Sequence, residues 1–185
     1  MTRDQAQLWQ VLERAELVCS AEEVASAVRR VAEQITNAVG SKVPLVLSVM
    51  GGAVVFTGQL LPLLRFPLEF DYVHVTRYRG TTRGGTIEWK VEPRELLAGR
   101  VVLVLDDILD EGHTMAAIRS RILELGASAF YSAVMADKAI GRPKPVHADF
   151  VGVQVPDRYV FGFGMDVEGA WRNLPAIYAM AGEKH

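Results

Sequence analysis

The chain has 185 residues, half of them apolar, and its 20 basic and 22 acidic side chains leave a formal net charge of −2. That is one ordinary domain with room for a sizeable core, without the basic stripe that nucleic-acid binding would show, because Arg29, Arg30, Arg77, Arg79, Arg83, Arg119 and Arg121 are scattered among acids. The single cysteine, Cys19, excludes an internal disulfide and a cysteine metal cluster, and no signal-like or membrane-length apolar stretch is present, so a soluble cytoplasmic protein without a membrane partner is expected.

Asp4 to Leu17 carries Leu8, Val11, Leu12 and Ala15 at helical spacing, continued by Val18, which predicts a first helix. Cys19 reads as a small buried residue of that helical region. Ser20 precedes Glu23 by three residues, a capping-box pattern. The helix it opens is expected to bury Val24, Ala27, Val28, Val31 and Ile35, to run to about Val39 and to stop at Gly40, which makes residues 1–40 a segment of N-terminal helices. Pro44 to Val49 reads as a short buried strand, broken by Gly51 and Gly52. Ala53 to Leu64 reads as a helix, and Leu68 to Thr76 as a strand. Tyr78 to Thr86 is polar, rich in glycine and arginine, and without period, so it reads as a mobile loop. Thr86 to Lys90 returns as a strand, making residues 76–90 a hairpin. Val101 to Leu105 is the next strand, Thr114 to Leu125 a helix closed by Gly126, and Ala129 to Ala136 a strand. After a rigid loop at Gly141 to Pro145, strands are expected at Phe150 to Val153 and Tyr159 to Phe161. The strand–helix alternation predicts an α/β fold, with a mainly parallel central sheet flanked by helices.

The most informative stretch is Val101 to Thr114, VVLVLDDILDEGHT. Its apolar run has the composition of a parallel strand buried on both faces. Acids at the carboxyl end of such a strand lie where open α/β sheets bind ligands. A turn ending Gly112-His113-Thr114 before a helix offers N–H groups and a hydroxyl to an anion. Carboxylates for a sugar or a metal are therefore expected within a few residues of a phosphate cradle.

This stretch resembles the phosphoribosyl-pyrophosphate (PRPP) binding motif of the type I phosphoribosyltransferases. Val102 to Leu105, Asp106 and Asp107, Ile108 and Leu109, Asp110, Gly112 and Thr114 fill the pattern. Three further segments resemble the hypoxanthine-guanine branch of that family, in order and spacing, over roughly residues 43–179. Leu45 to Gly52 looks like the loop that approaches pyrophosphate, with Met50 where the family often has lysine. In the family the bond after that residue can be a non-proline cis peptide. Arg77 and Tyr78 with the following loop resemble a loop that closes over the site, where water must be excluded; the family commonly has Ser-Tyr, so Tyr78 matches and Arg77 does not. Ala136 to Lys138, Val155 to Asp166 and Trp171-Arg172 resemble the purine pocket.

The resemblance implies a type I phosphoribosyltransferase fold with a small hood region built from terminal segments, residues 154–185 supplying the purine-binding part. It implies transfer of the 5-phosphoribosyl group from PRPP to hypoxanthine or guanine. Asp110 is then the catalytic proton-transfer residue. Asp106, Asp107, Glu111, Gly112, His113 and Thr114 bind the ribose and 5′-phosphate. Met50, Gly51, Tyr78 and Arg172 bind pyrophosphate. Lys138, Tyr159, Val160 and Asp166 bind the purine, and Lys138 as a donor favours a 6-oxo base over adenine. Mg²⁺ is implied, near Asp106, Asp107 and Asp166, and so is a homodimer or homotetramer. Glu111 stands where the family commonly has Thr or Ser, and its carboxylate is expected to point away from the phosphate. His113 stands where Lys or Arg is frequent, and adds positive charge only when protonated. Two other functions are compatible with the pattern: a xanthine-preferring enzyme, and a regulator of this fold that binds nucleotide or RNA.

Overall fold

The computed structural model describes residues 4–77, 87–93 and 96–184. Helix α1 (Gln5–Arg14) is followed by strand β1 (Glu16–Cys19) and the long helix α2 (Ala21–Val39). Then come β2 (Leu45–Met50), α3 (Val54–Leu60) with a 3₁₀ turn at Leu61–Leu63, and the pair β3 (Glu69–Arg77) and β4 (Ile87–Val91). The rest is β5 (Val101–Leu109), α4 (His113–Glu124), β6 (Ala129–Ala139), β7 (Phe150–Pro156), β8 (Arg158–Phe161) and β9 (Ile177–Lys184).

The main sheet has six strands in the order β4-β3-β2-β5-β6-β7. All neighbours are parallel except the antiparallel β3–β4 pair. Chain order runs outward from the β2–β5 seam in both directions, so that seam is the topological switch point, where α/β sheets open a crevice at their carboxyl ends. In β5, Val102 to Leu105 are each 0% exposed, which is why the run is continuously apolar rather than alternating. Leu103 and Leu105 join the core under α2 and α3, whereas Val102 and Val104 join Met115, Ile118 and Ile122 of α4. Such burial stabilises by about 1.5–3 kcal/mol per large aliphatic side chain, and it fixes the strand's height against both layers.

The capping box of α2 is present. The Ser20 hydroxyl accepts from the Glu23 N–H at 3.3 Å, and the Glu23 carboxylate accepts from the Ser20 N–H at 2.8 Å. The helix buries Val24, Ala27, Val28, Val31 and Ile35 as expected. A second, antiparallel sheet, β1-β9-β8, forms the hood. Among the described residues no helix is long and apolar enough to cross a membrane.

Four expectations are corrected. The first helix ends at Arg14, not Leu17, because Ala15 turns extended (φ −74°, ψ 150°) and Glu16, Leu17 and Cys19 pair with β9. Cys19 is therefore a buried strand residue, and the N-terminal 40 residues are not all helical. Strand β5 continues through Leu109, so Asp106 and Asp107 lie within it, Asp106 opposite Val134 of β6. Strand β7 reaches Pro156, so residues 154–156 belong to the main sheet rather than the hood. Residues 78–86, with Tyr78 and its loop, lie outside the described residues.

Candidate active site

A cavity of about 430 Å³ opens at the carboxyl ends of β2, β3 and β5. Its lining includes Met50 to Gly52 from the loop after β2, His74 to Thr76 from the end of β3, Asp106 to Met115, and Asp166 and Arg172 from the hood. A second cavity of about 200 Å³ lies between β5, β6 and the hood, lined by Asp107, Ile108, Asp110, Lys138, Tyr159, Val160, Met165 and Asp166. The two share Asp107, Ile108, Asp110 and Asp166. One end of the larger chamber thus meets the smaller across a row of carboxylates.

The two Asp side chains of β5 sit in an apolar strand. Asp106 is 8% exposed. Burial, and then the neighbouring Asp107, push its carboxyl well above the usual carboxylate range. Asp107 is also raised by burial, an effect opposed by its hydrogen bond with Asp106, by the Ile108 N–H and by the Arg172 guanidinium. A carboxyl that holds its proton more tightly in the fold than in the unfolded chain makes the fold most stable below the ordinary carboxylate range. That contribution is lost as pH rises through the raised value. Asp106→Asn is therefore expected to melt above the parent in metal-free, substrate-free buffer, with a larger gain at pH 8 than at pH 5. An equal gain at both would contradict the burial argument.

Asp110 follows directly on β5. Its carboxylate lies 3.1 Å from the ammonium of Lys138, whose side chain is 4% exposed against 46% for Asp110. Lys138 stands inside β6, opposite Val155 of β7, so it is a buried cation aimed at a cavity. The turn that carries Asp110 is held from below. The Lys144 ammonium donates to the Leu109 carbonyl at 2.7 Å and to Asp137 at 2.5 Å, and Gln154 donates to the other oxygen of Asp137.

Gly112 ends the turn at φ +83° and is the N-cap of α4, with no side chain capping the helix. The first-turn N–H groups therefore face the cavity with no side-chain acceptor, which is the arrangement of an anion site. Thr114 is partly buried and His113 exposed, both on the cavity wall. The Glu111 carboxylate is paired with Arg142 at 2.5 Å. Its charge is thereby partly met from the β6–β7 connection.

The loop after β2 contains a cis peptide bond at Met50–Gly51. Gly52 is pressed against β5: a Cβ there would lie 1.9 Å from an Asp107 carboxylate oxygen. In the hood, Arg172 donates to the Gly164 carbonyl at 2.6 Å and pairs with Asp166 at 2.6 Å. Asp166 is further fixed by the Gly169 N–H at 2.7 Å, and its carbonyl accepts from the Tyr159 hydroxyl at 2.9 Å.

The structure gathers Met50, Gly51, Asp106, Asp107, Asp110 to Thr114, Asp166 and Arg172 around the larger cavity, and Lys138, Tyr159 and Val160 around the smaller. Asp106, Asp107 and Asp166 do not form a metal cage of their own: among the described residues no three acidic, His or Cys side chains cluster so as to hold an ion. Asp166 is engaged by Arg172 and Gly169 instead. Sequence reasoning missed His74, Val75 and Thr76, Gly164, Arg142 and Lys144. Only the first three had a signal, because β3 pairs with β2 and ends beside Met50.

Comparison with known proteins agrees with this geometry. The family described as phosphoribosyl transferase domain matches residues 19–168. The hypoxanthine-guanine phosphoribosyltransferase of Streptococcus pneumoniae is 30% identical over 162 residues, which are 87% of this chain and 90% of that protein. The hypoxanthine-guanine-xanthine phosphoribosyltransferase of Tritrichomonas foetus is 32% identical over 157 residues, 84% of this chain and 86% of that one. A solved structure of a hypoxanthine-guanine-xanthine phosphoribosyltransferase superposes with a TM-score of 0.82 at 28% identity, covering 91% of this chain and 98% of that one. By fold, by the crevice at the β2–β5 seam and by these matches, the chain belongs to the phosphoribosyl transferase family, in its hypoxanthine-guanine branch.

Proposed function

We propose that the chain transfers the 5-phosphoribosyl group of PRPP to a 6-oxopurine, hypoxanthine or guanine, giving IMP or GMP and pyrophosphate. The observation that carries this is the pair of adjoining cavities sharing Asp107, Asp110 and Asp166. One has an anion cradle at the start of α4, and the other a buried lysine donor. A diphosphorylated sugar fits the first, and a flat base with an exocyclic oxygen fits the second.

In this reading the amides of residues 111–114, with the Thr114 hydroxyl, hold the 5′-phosphate. Asp106 and Asp107 take the ribose hydroxyls, whose donors relieve the repulsion between the two buried carboxyls. Arg172 and the backbone at Met50–Gly51 hold pyrophosphate. Lys138 donates to the 6-oxygen of the base, while Tyr159 and Val160 line its face and edge. A ring nitrogen forms the new bond to C1 of the ribose as the C1–oxygen bond to pyrophosphate breaks. Asp110 removes the proton from the base's N7 as that bond forms, and returns it in the reverse direction.

The donor set fits Mg²⁺, a hard cation held by one or two carboxylates and otherwise by substrate oxygens. Asp106 and Asp107 would hold it directly or through its water, with Asp166 nearby. When bound it neutralises charge on the departing pyrophosphate.

The test is pyrophosphate release from PRPP and Mg²⁺ with each base supplied separately. Turnover with hypoxanthine or guanine and none with uracil is expected, and silence with every base would overturn the reading. The name of the Tritrichomonas relative makes xanthine the next base to try. Lys138→Gln should raise KM for the base roughly 10- to 100-fold, the worth of a hydrogen bond from a charged donor. Unchanged base affinity would remove Lys138 from the pocket.

A further inference from the structure

We infer that α1 is a brace for the hood, and that Trp9 and Trp171 are positioning residues that set Arg172 for pyrophosphate. This rests on the reading of Arg172 given above. Helix α1 has no obvious task in the fold. It buries none of its own residues, and it lies before residue 19, where the family match begins. Yet it is a finished helix, with Asp4 accepting from the Ala6 N–H at its start. Its contact with the hood is specific. The ring of Trp9, 48% exposed, meets the ring of Trp171 edge to face, with centroids 4.9 Å apart and planes at 69°. That is a favoured aromatic geometry. The Trp171 indole N–H also donates to the Leu8 carbonyl of α1 at 3.0 Å.

Trp171 is the residue immediately before Arg172, and its backbone is left-handed at φ +66°. A bulky residue holds that conformation only where its surroundings over-determine it. Here the surroundings are α1 on the outside, and on the inside the Arg172 guanidinium tied to the Gly164 carbonyl and Asp166. Adjacent residues thus carry the outer and inner contacts of one short loop, and α1 fixes the outer one. The loop keeps its own backbone bonds, from the Gly164 N–H to the Arg172 carbonyl at 2.9 Å and from the Leu174 N–H to the Trp171 carbonyl at 3.2 Å, but without α1 the left-handed turn at Trp171 loses its outer support, and the guanidinium its set position over the cavity.

The experiment is calorimetric titration of the full chain with pyrophosphate plus Mg²⁺, and separately with IMP. Trp9→Ala, on an exposed helix face, is expected to weaken pyrophosphate binding roughly 5- to 20-fold, since small displacements of a binding group are costly. IMP affinity and melting temperature should stay as in the parent, and Trp9→Phe should recover most of the loss. Arg172→Ala is the control. If Arg172→Ala weakens pyrophosphate and Trp9→Ala does not, the brace is refuted. Equal losses for both ligands with a lowered melting temperature would make α1 merely structural. If Arg172→Ala leaves pyrophosphate binding unchanged, the assignment of Arg172 fails, and the brace with it. A parent chain that binds no pyrophosphate would sink the functional reading itself.

Discussion

Replacement of Asp110 by Asn is expected to lower kcat by ~10²–10⁴-fold, the contribution a positioned proton-transfer group makes. The geometry isolates that effect. Asn has nearly the same shape, and its amide oxygen can still accept from the Lys138 ammonium that lies 3.1 Å from the native carboxylate. The buried lysine therefore keeps a partner, and the fold should survive with a cost of about 1–3 kcal/mol at most. What is lost is a group able to take a full proton from the base. The expected signature is a fall in kcat with KM for the base unchanged or lowered. KM can fall because Lys138 no longer has a charged competitor for the purine oxygen. Single-turnover kinetics separate the chemical step from product release. A loss of less than a few-fold there would move proton transfer to another group. A rise in base KM with normal kcat would make Asp110 a binding residue instead.

Much of this site is readable from the residues of one strand and turn. The four apolar residues before Asp106 had to be buried on both faces, so the strand had to be central and parallel. That alone placed Asp106, Asp107 and Asp110 at the mouth of the sheet, and Gly112 to Thr114 at a helix start. Helix α2 was equally legible, because its capping box and apolar stripe agree on start, length and buried face. The hood was not. Strand β1 forms because it pairs with β9, more than 150 residues later, and nothing local in Ala15 to Cys19 distinguishes that outcome from one more helical turn. Strand β9 itself gave no separate signal.

The same limit applies inside the site. The strand expected over Ala129 to Ala136 would leave Lys138 beyond its end, yet β6 continues to Ala139 and β7 pairs alongside it. The burial of Lys138 is a property of the neighbouring strand's length. The expectation that Glu111 turns away from the phosphate rested on repulsion alone. The structure supplies the partner, Arg142, from a connection 31 residues on, which no pattern in the motif announces. Likewise Lys144 supports the turn from outside the motif. Local sequence specified the chemistry of the cradle, whereas its supporting contacts depend on which distant loop comes to rest beside it.

Gly164→Ala should be the most destabilising small change in the site, lowering stability by about 2–5 kcal/mol. Two independent terms add. Gly164 has φ +102°, a conformation that L side chains rarely adopt, and left-handed backbone costs a non-glycine residue about 1–2 kcal/mol. The new Cβ would also lie 2.1 Å from the Gly52 carbonyl oxygen and 3.2 Å from its carbon, and overpacking of a closed contact costs about 1–3 kcal/mol. The second term is hard to relieve, because the obstacle is backbone. A Cβ on Gly52 would meet the end of the Asp107 side chain, which can rotate away. One on Gly164 meets a main chain already pressed against β5 on its other side. The hood and the loop after β2 must then part, and Arg172, which donates to the Gly164 carbonyl, moves with them. For a domain of this length each kcal/mol shifts the melting temperature by about 2–4 °C, so a fall of roughly 10 °C is expected. Pyrophosphate affinity should weaken in the same variant, because hood and loop meet over the cavity that holds it. A melting temperature within about 2 °C of the parent, judged by that same scaling, would show that the hood can lift from the β2 loop at little cost, and that Gly164 is not the hinge of the closed site.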